Sequence, residues 1–420
     1  MSGANKRTRG YKKTKLGWLP EDWRLLTVRE IASRVTVGIA SAATHAYRPQ
    51  GVRMFRNMNI REGFIDDRSP LFLDPDYEKR HRRKRLRAGD IVTVRTGYPG
   101  VSAVVTDRHA GAQVFTSLIT TPNQHFVTAD YLCLYINSPY GKRQFSQSEA
   151  GGAQKNVNAS MLSRLHVPLP PLPEQKNIAS ILSAWDAAIE KTGDLVAAKR
   201  KQSKALMRQV LTGKRRLPGF AGRWAPTRLS ALVSRIKETA DEPQKYPVLS
   251  ITAGTGFVSQ ADKFSRVIAG KHIENYVLLR RGEFSYNKGN SYRYPQGCVY
   301  QLHEYDEGLV PSVFYSFRVK PKRVHDAFLK HYFIAGLHNA QLYRWINTGV
   351  RNNGLLNLNA SDFFNIQIDL PDLKEQRAIA EVLDTADREI AALEAKLKAL
   401  QRQKKGLMQR LLTGQVRVKG

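Results

Sequence analysis

Two long stretches of the chain carry apolar residues in alternating steps of four and three, a spacing that places them along one side of an α-helix. The second stripe runs from Ile379 to Leu411 with one polar member, Lys404, and the first runs more weakly from Ile178 to Val210 with three polar members. Prolines precede the first stripe, and Leu-Thr-Gly follows both, as at ordinary helix ends. The pattern predicts two long helices, each spanning about 57 Å for roughly 38 residues.

The two stripes belong to a tandem repeat. Pro171-Leu-Pro-Glu-Gln before the first stripe returns as Leu373-Lys-Glu-Gln before the second, so that Glu174 and Glu375 lie 201 residues apart. Three further pairs keep that offset: Trp23 and Trp224, Asn158 and Asn359, and Leu206 and Leu407. In the middle the copies differ, and their clearest shared landmark, Gly89-Asp90 and Gly282-Glu283, is offset by 193. The repeat predicts a shared frame with middles that bind different targets, although loop drift without functional meaning gives the same pattern.

The repeat and the stripes together predict the fold class. The middles of both copies have short apolar runs between turns, at 90–94 and 101–105 and at 283–286 and 298–300, and short helices fit 129–137 and 324–337. We expect an α+β protein with a pseudo-two-fold repeat, in which two tandem α/β domains with largely antiparallel or barrel-like sheets are separated by two long antiparallel coiled-coil helices. The predicted divisions are a basic disordered tail at 1–15, a domain at 16–170, a helix at 171–213, a domain at 214–371, a helix at 372–414 and a tail at 415–420.

Antiparallel pairing of the two apolar stripes would place the two domains at opposite ends of a rod. The plainer alternative is an ordinary helical hairpin packed on a single core. The length of the helices and their position after each domain favour a spacer.

The charge of the chain limits the chemical classes of partner that it is expected to bind. It has 67 Lys and Arg against 36 Asp and Glu, a formal net charge of +31, which favours a polyanion, with nucleic acid ahead of an anionic membrane surface. The sequence has no long apolar run for a membrane span, and its basic N-terminus leads into no apolar signal core. Cys133 and Cys298 lie in apolar surroundings and are predicted to be buried thiols. We therefore expect a cytoplasmic protein.

Candidate DNA-binding residues fall into two chemical groups, since Lys and Arg suffice for phosphates whereas base edges also need amide or hydroxyl groups. The dense run 81–87 is a candidate phosphate clamp, although a solvated charged face is the alternative. Arg53, Arg56, Asn57 and Asn59 suit base contacts better. The candidates in the run are Arg82, Arg83, Lys84 and Arg85, and those in other polar loops are Arg95, Thr96, Gln154, Lys155, Asn156, Asn287, Lys288, Asn290, Ser291, Arg293, Arg351 and Asn352.

Searches for catalytic motifs give nothing. The chain has no Asn-Pro-Pro-aromatic or Asp-Pro-Pro-aromatic tetrapeptide of an amino-methyltransferase, and no Gly-Lys-Ser/Thr phosphate loop. The acidic residues of Pro75-Asp-Tyr-Glu-Lys79 are too close together to share a metal as nuclease carboxylates do, and the ten histidines show no metal-ligand spacing. The sequence predicts no catalytic centre, no metal site and no cofactor of its own, so that any chemistry belongs to partners.

The chain resembles the specificity (S) subunit of Type I restriction-modification systems over nearly its whole length, from Leu16-Gly-Trp-Leu-Pro-Glu-Asp-Trp23 to the last Leu-Thr-Gly. The specific elements are Pro-Leu-Pro-Glu-Gln at 171–175 with Ile178-Ala179, Leu-Lys-Glu-Gln at 373–376 with Ile379-Ala380, the two-fold repetition, and Gly89-Asp-Ile-Val92. Lys374 and Glu283 depart slightly from the pattern, which loosens the alignment of the second copy.

Membership would imply two target-recognition domains, each of which reads one half of an asymmetric bipartite DNA site, with helices that fix the gap between the halves. It would also imply assembly with methyltransferase subunits, which bind S-adenosylmethionine, and with ATP-driven restriction subunits, so that S-adenosylmethionine, ATP and Mg are expected on the partners.

Three other hypotheses remain open at this point. A stand-alone DNA-binding or scaffold protein would bind DNA without a methyltransferase, and a self-sufficient nuclease would cleave DNA with a metal. A recognition subunit of a Type IIB-like system would serve one chain that both methylates and cleaves.

Overall fold

The computed structural model describes residues 10–41, 43–147, 156–261, 270–289, 294–346 and 356–418. The chain divides into two compact units, the first formed by Met1–Lys191 and Lys396–Gly420 and the second by Thr192–Ala395. Both divisions fall inside the two long helices, so each unit contains part of each helix. The units are called unit 1 and unit 2 below.

Unit 1 is a mixed domain with a four-stranded antiparallel sheet at its centre. The order of strands in this sheet is β4-β11-β8-β9, and a second sheet has the order β10-β6-β7-β5. The pairs β1–β2 and β3–β12 are antiparallel. Its elements are β1 Tyr11–Thr14, β2 Gly17–Pro20, β3 Arg24–Thr27, α1 Val28–Ile31, β4 Ala32–Val37, β5 Tyr47–Arg48, β6 Val52–Phe55, β7 Leu71–Leu73, α2 Pro75–Lys79, β8 Ile91–Thr93, β9 Ser102–Val104, β10 Gln113–Val114, β11 Leu118–Pro122, α3 Ala129–Asn137, α4 Pro139–Gln147, α5 Ala159–Ser163 and β12 His166–Leu169.

Unit 2 repeats this plan. Its four-stranded antiparallel sheet has the order β14-β21-β18-β19, and the antiparallel pairs β13–β22, β15–β16 and β17–β20 accompany it. Its elements are β13 Ala225–Arg228, α7 Leu229–Leu232, β14 Val233–Arg235, β15 Leu249–Thr252, β16 Gly256–Ser259, β17 Val277–Arg280, β18 Phe284–Asn287, β19 Cys298–Gln301, β20 Glu307–Val310, β21 Tyr315–Val319, α8 Asp326–Ile334, α9 Asn339–Trp345, α10 Ala360–Phe364 and β22 Gln367–Leu370. The two long helices are α6 Leu172–Val210 and α11 Leu373–Leu412.

Equivalent strands show where the two copies differ in length. Their offset is 201 residues at β3 and β13, 193 at β8 and β18, 197 at β11 and β21, and 201 again at β12 and β22. Insertions and deletions therefore fall in the connections between these strands, while the strands themselves keep the same order. One difference lies between β8 and β9, where Thr93 pairs with Ser102, but the equivalent Tyr286 pairs with Val299, a connection four residues longer.

The long helices run antiparallel within each unit. In unit 1, Ile178 and Leu182 near the start of α6 share a buried cluster with Leu411 and Leu412 at the end of α11. In unit 2 the roles are reversed, since Val210 near the end of α6 clusters with Ile379 and Leu383 near the start of α11. Ion pairs flank the apolar contact, including Lys199 with Glu389 at 2.7 Å in unit 2. The predicted antiparallel coiled coil and the tandem α+β architecture are confirmed.

A buried glutamate near the start of each long helix joins it to the rest of its unit. In unit 1, Trp23 Nε1 donates to Glu174 Oε2 at 3.3 Å and Arg417 Nε donates to Oε1 at 2.8 Å. In unit 2, Trp224 Nε1 donates to Glu375 Oε2 at 3.2 Å and Arg216 Nε to Oε1 at 2.6 Å. Each residue of one set lies 201 positions from its counterpart in the other, so the repeat keeps a complete hydrogen-bonded set.

Two local expectations have clear outcomes. A disordered tail was predicted for 1–15, but Tyr11–Thr14 forms a strand that pairs with Gly17–Pro20, because Gly17 adopts the positive φ of a tight turn and the Tyr11 hydroxyl donates to the Gly414 carbonyl at 2.8 Å. Both cysteines are buried and free, as predicted, and burial raises the pKa of the Cys298 thiol to about 11. The other division points of the sequence stay predictions.

Candidate nucleic-acid interface

Three connections of unit 1 are joined by hydrogen bonds: the segment after β6, the β8–β9 connection and the segment before α5. Asn57, which follows β6, donates from Nδ2 to the Thr96 carbonyl at 3.2 Å and to Thr96 Oγ1 at 3.1 Å. Thr96 lies between β8 and β9, where the two copies differ in length. The Val157 amide donates to the Arg95 carbonyl at 3.0 Å, which brings Asn156 to the same place. We call Arg56, Asn57, Arg95, Thr96 and Asn156 the unit 1 loop cluster.

The unit 1 loop cluster contains polar atoms without partners. Nε of Arg56, Nε of Arg95 and Oδ1 of Asn156 are buried, and none of them has a hydrogen-bond partner within the described ranges. Arg56 uses Nη2 to donate to the Ser69 carbonyl at 3.3 Å, which fixes the direction of its side chain. Buried polar groups in proteins are nearly always paired. Two unpaired donors and one unpaired acceptor on neighbouring segments therefore indicate a site that accepts a polar ligand or water.

Two other sequence candidates in this region make contacts inside the protein. Asn59 is buried, accepts from the Arg56 amide at 2.9 Å and donates to the Asp66 carbonyl at 3.0 Å. Arg53 lies on β6, and its guanidinium donates to the Arg108 carbonyl. These bonds give both side chains a structural role, and their predicted contact with DNA stays a prediction.

The basic run 82–85 separates into free and bound cations. Arg82 and Arg83 are exposed on a short 3-10 helix and donate no side-chain hydrogen bond to the described part of the chain. Lys84 donates to the Gly38 carbonyl at 2.9 Å. Arg85 forms a two-pronged pair with the buried Glu78, with Nε to Oε1 at 2.8 Å, and this guanidinium holds the pKa of Glu78 below its usual range. Only the first two are available to phosphates without breaking an existing bond.

In unit 2 the equivalent connection follows β18. Asn287 donates from Nδ2 to the Ile251 carbonyl at 3.2 Å and accepts from the Gly289 amide at 2.8 Å. Lys288 lies 5.2 Å from the centre of the Tyr315 ring, and its carbonyl accepts from the Leu356 amide at 2.9 Å, as the Arg95 carbonyl accepts from Val157 in unit 1. The remaining candidates lie outside the described residues: Gln154, Lys155, Asn290, Ser291, Arg293, Arg351 and Asn352.

The Gly89-Asp90 and Gly282-Glu283 landmarks have a role that the sequence did not reveal. Asp90 is buried and pairs with Arg34 of β4 at 2.6 Å, whereas Glu283 pairs with Arg318 of β21 at 2.9 Å. Each acid also accepts from the amide three residues before it, of Arg87 and of Arg280. Each acid therefore closes the turn before the strand that leads to the variable connection, although its arginine comes from a different strand in each copy.

One group in unit 2 has the residue types of a metal site. His331 Nε2 lies 2.9 Å from Asp384 Oδ1, and Nδ1 lies 4.0 Å from Asp387 Oδ2. Lys330 Nζ lies 2.6 Å from the same Asp384 oxygen, so an ammonium already compensates that carboxylate. Burial lowers the pKa of His331, and the charge of Lys330 lowers it further. Sequence spacing did not reveal this group, because the histidine and the aspartates come from different helices.

The geometry defines a class of chain: a tandem of two α+β domains, each continuous with a long helix and each with cations in the connections that vary between copies. The family model for the Type I restriction modification DNA specificity domain matches residues 20–197 and 237–402. The chain therefore belongs to this family of specificity domains. Within the described ranges, no helix is long and apolar enough to cross a bilayer.

Curated relatives agree with the family model. The chain is 24% identical to the putative type I restriction enzyme MjaX specificity subunit of Methanocaldococcus jannaschii, over 97% of each chain. It is 25% identical to the type I restriction enzyme MjaVIII specificity subunit of the same organism, over 66% of this chain and 68% of the relative.

Solved structures share the fold. The HsdS subunit from Thermoanaerobacter tengcongensis matches with a TM-score of 0.51 and 19% identity, over 95% of this chain and 98% of that one. The Type-I restriction-modification system S subunit from M. genitalium matches with a TM-score of 0.54 and 13% identity, over 93% of this chain and 96% of that one. At these identities the likeness concerns the fold alone.

Proposed function

We propose that this chain is the DNA sequence-recognition subunit of a Type I restriction-modification complex. Each unit reads one half of an asymmetric bipartite DNA site, and the two long helices set the spacing of the halves and dock methyltransferase subunits. The observation that carries this proposal is the combination of a repeated frame with connections that differ between copies. A repeated frame presents both domains in the same way, and unlike connections recognise unlike half-sites.

The chemistry of the complex is assigned to its partners. We expect the chain to be non-catalytic, and we expect methyltransferase subunits to bind S-adenosylmethionine and restriction subunits to use ATP and Mg. These assemblies act on double-stranded DNA in the cytoplasm. The formal charge of +31 supports a polyanionic partner, since Lys and Arg neutralise phosphates wherever they lie along the duplex.

The described cations divide into two proposed roles. Arg82 and Arg83 contact phosphates, because their side chains are exposed and donate no hydrogen bond to the residues that the structure describes. Arg56 and Arg95 in unit 1, and Lys288 in unit 2, lie beside the connections that vary between copies and contact base edges or the phosphates next to them. The candidates outside the described residues keep the same proposed role.

The test is a map of methylated adenines in cells that express the methyltransferase with and without this chain. A bipartite motif that appears only with the chain supports the proposal, and unchanged methylation overturns it. Arg56→Ala with Arg95→Ala should then relax one half of the motif, whereas Lys288→Ala should relax only the other half. Equal loss of both halves in both variants would contradict the assignment of one unit to each half-site.

A further inference from the structure

The amide of Asn57 is already occupied by the protein. Nδ2 donates to both the carbonyl and the hydroxyl of Thr96, and Oδ1 accepts from the Ser117 hydroxyl at 2.8 Å. An asparagine that recognises adenine needs both its donor and its acceptor directed at one base edge. Asn57 therefore joins the segment after β6 to the β8–β9 connection, and we call its two hydrogen bonds to Thr96 the tie. Base recognition at this place needs other side chains.

Tyr98 is held on a constrained turn next to this tie. Gly97 and Gly100 both have positive φ, +88° and +87°, and the Gly100 amide donates to the Val94 carbonyl at 2.9 Å. A Cβ at Gly100 would lie 3.1 Å from the Phe145 ring, so the base of the turn is packed against α4. Tyr98 itself is 49% exposed, and its side chain bonds to nothing in the described ranges. A turn fixed at its base thus presents an unpaired aromatic ring to solvent.

Met58 lies on the other side of the same tie. It directly follows Asn57 and is 51% exposed, although methionine is normally a core residue. The hydrogen bonds between Asn57 and Thr96 therefore join two segments, each of which carries one exposed apolar side chain within two residues of the tie. The unpaired Nε atoms of Arg56 and Arg95 belong to the same segments.

We propose that unit 1 recognises its half-site partly through apolar contact, with Met58 and Tyr98 packed against the C5 methyl group of a thymine in the major groove. The thymine methyl is the apolar feature that base edges offer in that groove. Stacking of Tyr98 on an extruded base would require unstacking at a cost of a few kcal/mol, so methyl contact is the simpler use of the ring in a paired duplex. In this arrangement Asn57 is a positioning residue, and Arg56 and Arg95 supply the polar contacts alongside.

Unit 2 is built differently at this place. Gly289, which has no side-chain hydroxyl, stands where unit 1 has Thr96. The side-chain bond at this place comes instead from Asn287 at the end of β18, whose Nδ2 donates to the Ile251 carbonyl of β15. The tie that places Met58 and Tyr98 is therefore a property of unit 1. The proposed methyl contact belongs to the half-site that unit 1 reads.

The inference rests on the proposed function, and its test uses the assembled methyltransferase complex with duplexes that carry the mapped motif. Each thymine of the unit 1 half-site is replaced in turn by uracil, which removes only the methyl group. We expect one replacement to weaken binding by wild type roughly threefold to tenfold. The same replacement should not weaken binding by the double variant Met58→Ala, Tyr98→Ala. It should weaken binding by Tyr98→Phe, and by the unit 2 control Tyr343→Ala, as much as it weakens binding by wild type.

The outcomes separate the two proposals. If wild type binds the motif specifically but no uracil replacement weakens it, the methyl contact is overturned while the proposed function stands. The same holds if the Met58→Ala, Tyr98→Ala variant keeps the full uracil effect. If the wild-type complex shows no preference for motif DNA, the proposed function fails and the inference fails with it.

Discussion

At the scale of single residues, hydrogen bonds inside the protein determine which polar side chains remain available to a ligand. The segment 53–59 contains residue types that suit base contacts, but Asn57 and Asn59 make several hydrogen bonds inside the protein. Such bonds join residues up to 60 positions apart, and no local pattern records them. Conversely, Met58 and Tyr98 were not among the sequence candidates, and both side chains are half-exposed.

A residue-scale prediction concerns Glu174. Glu174→Gln removes the buried charge that faces Arg417, and the Arg417 guanidinium then keeps only its pair with the half-exposed Asp22. Loss of one partner of a buried pair typically costs about 3 kcal/mol, and we expect a decrease of that size in the free energy of unfolding. The measurement is urea unfolding of the full chain at neutral pH.

Asp22→Asn is the matched control for Glu174→Gln. Asp22 pairs with the same Arg417 at 2.6 Å, but its side chain is half-exposed. Exposed pairs contribute little, so this variant should lose less than about 1 kcal/mol. Equal losses in the two variants would show that burial does not set the strength of this network.

At the scale of elements, the two long helices could be predicted because the spacing of apolar residues that defines them lies within each segment. The stripes predicted helices over 171–213 and 372–414, and the structure has Leu172–Val210 and Leu373–Leu412. Gly213 and Gly414 adopt positive φ just beyond the ends, as expected from Leu-Thr-Gly. The four short apolar runs at 90–94, 101–105, 283–286 and 298–300 also coincide with strands β8, β9, β18 and β19. Strand pairing did not follow from the sequence, because β4 pairs with β11 and β13 with β22 across most of a unit.

An element-scale prediction tests the seam of α6. Leu182 is fully buried against the end of α11, and Leu182→Ala should lower the free energy of unfolding by about 2–5 kcal/mol through reduced burial and a residual cavity. Leu195, on the same helix, is 44% exposed. Leu195→Ala should change the free energy of unfolding by no more than about 1 kcal/mol, since alanine keeps the helix and little burial is removed. Thermal unfolding of both variants gives the comparison, and similar losses would contradict the assignment of the seam.

At the scale of the whole molecule, the repeat was the most informative feature of the sequence. The offset of 201 residues identified equivalent frames, and its decrease to 193 in the middle identified where the copies differ. Both observations compare the chain with itself and so need no knowledge of distant contacts. The details of the connections depend on contacts between segments far apart in sequence, such as Val157 with Arg95, and they required the structure.

The net charge of +31 leads to a prediction about salt. Removal of one phosphate-binding cation should reduce the slope of log affinity against log salt by about 0.9, so Arg82→Gln with Arg83→Gln should flatten it by about 1.8. Binding to motif and non-motif duplexes should weaken alike, because phosphate contacts carry no sequence information. The measurement is the affinity of the assembled complex for both duplexes over a salt series.

Arg402→Gln with Lys405→Gln removes the same charge from exposed positions on α11 and should leave the slope near wild type. If the Arg402→Gln, Lys405→Gln control flattens the slope as much, the total charge of the chain governs the salt dependence and the contact of Arg82 and Arg83 with phosphates is contradicted. If Arg82→Gln with Arg83→Gln changes the motif that is recognised, these two arginines contact bases.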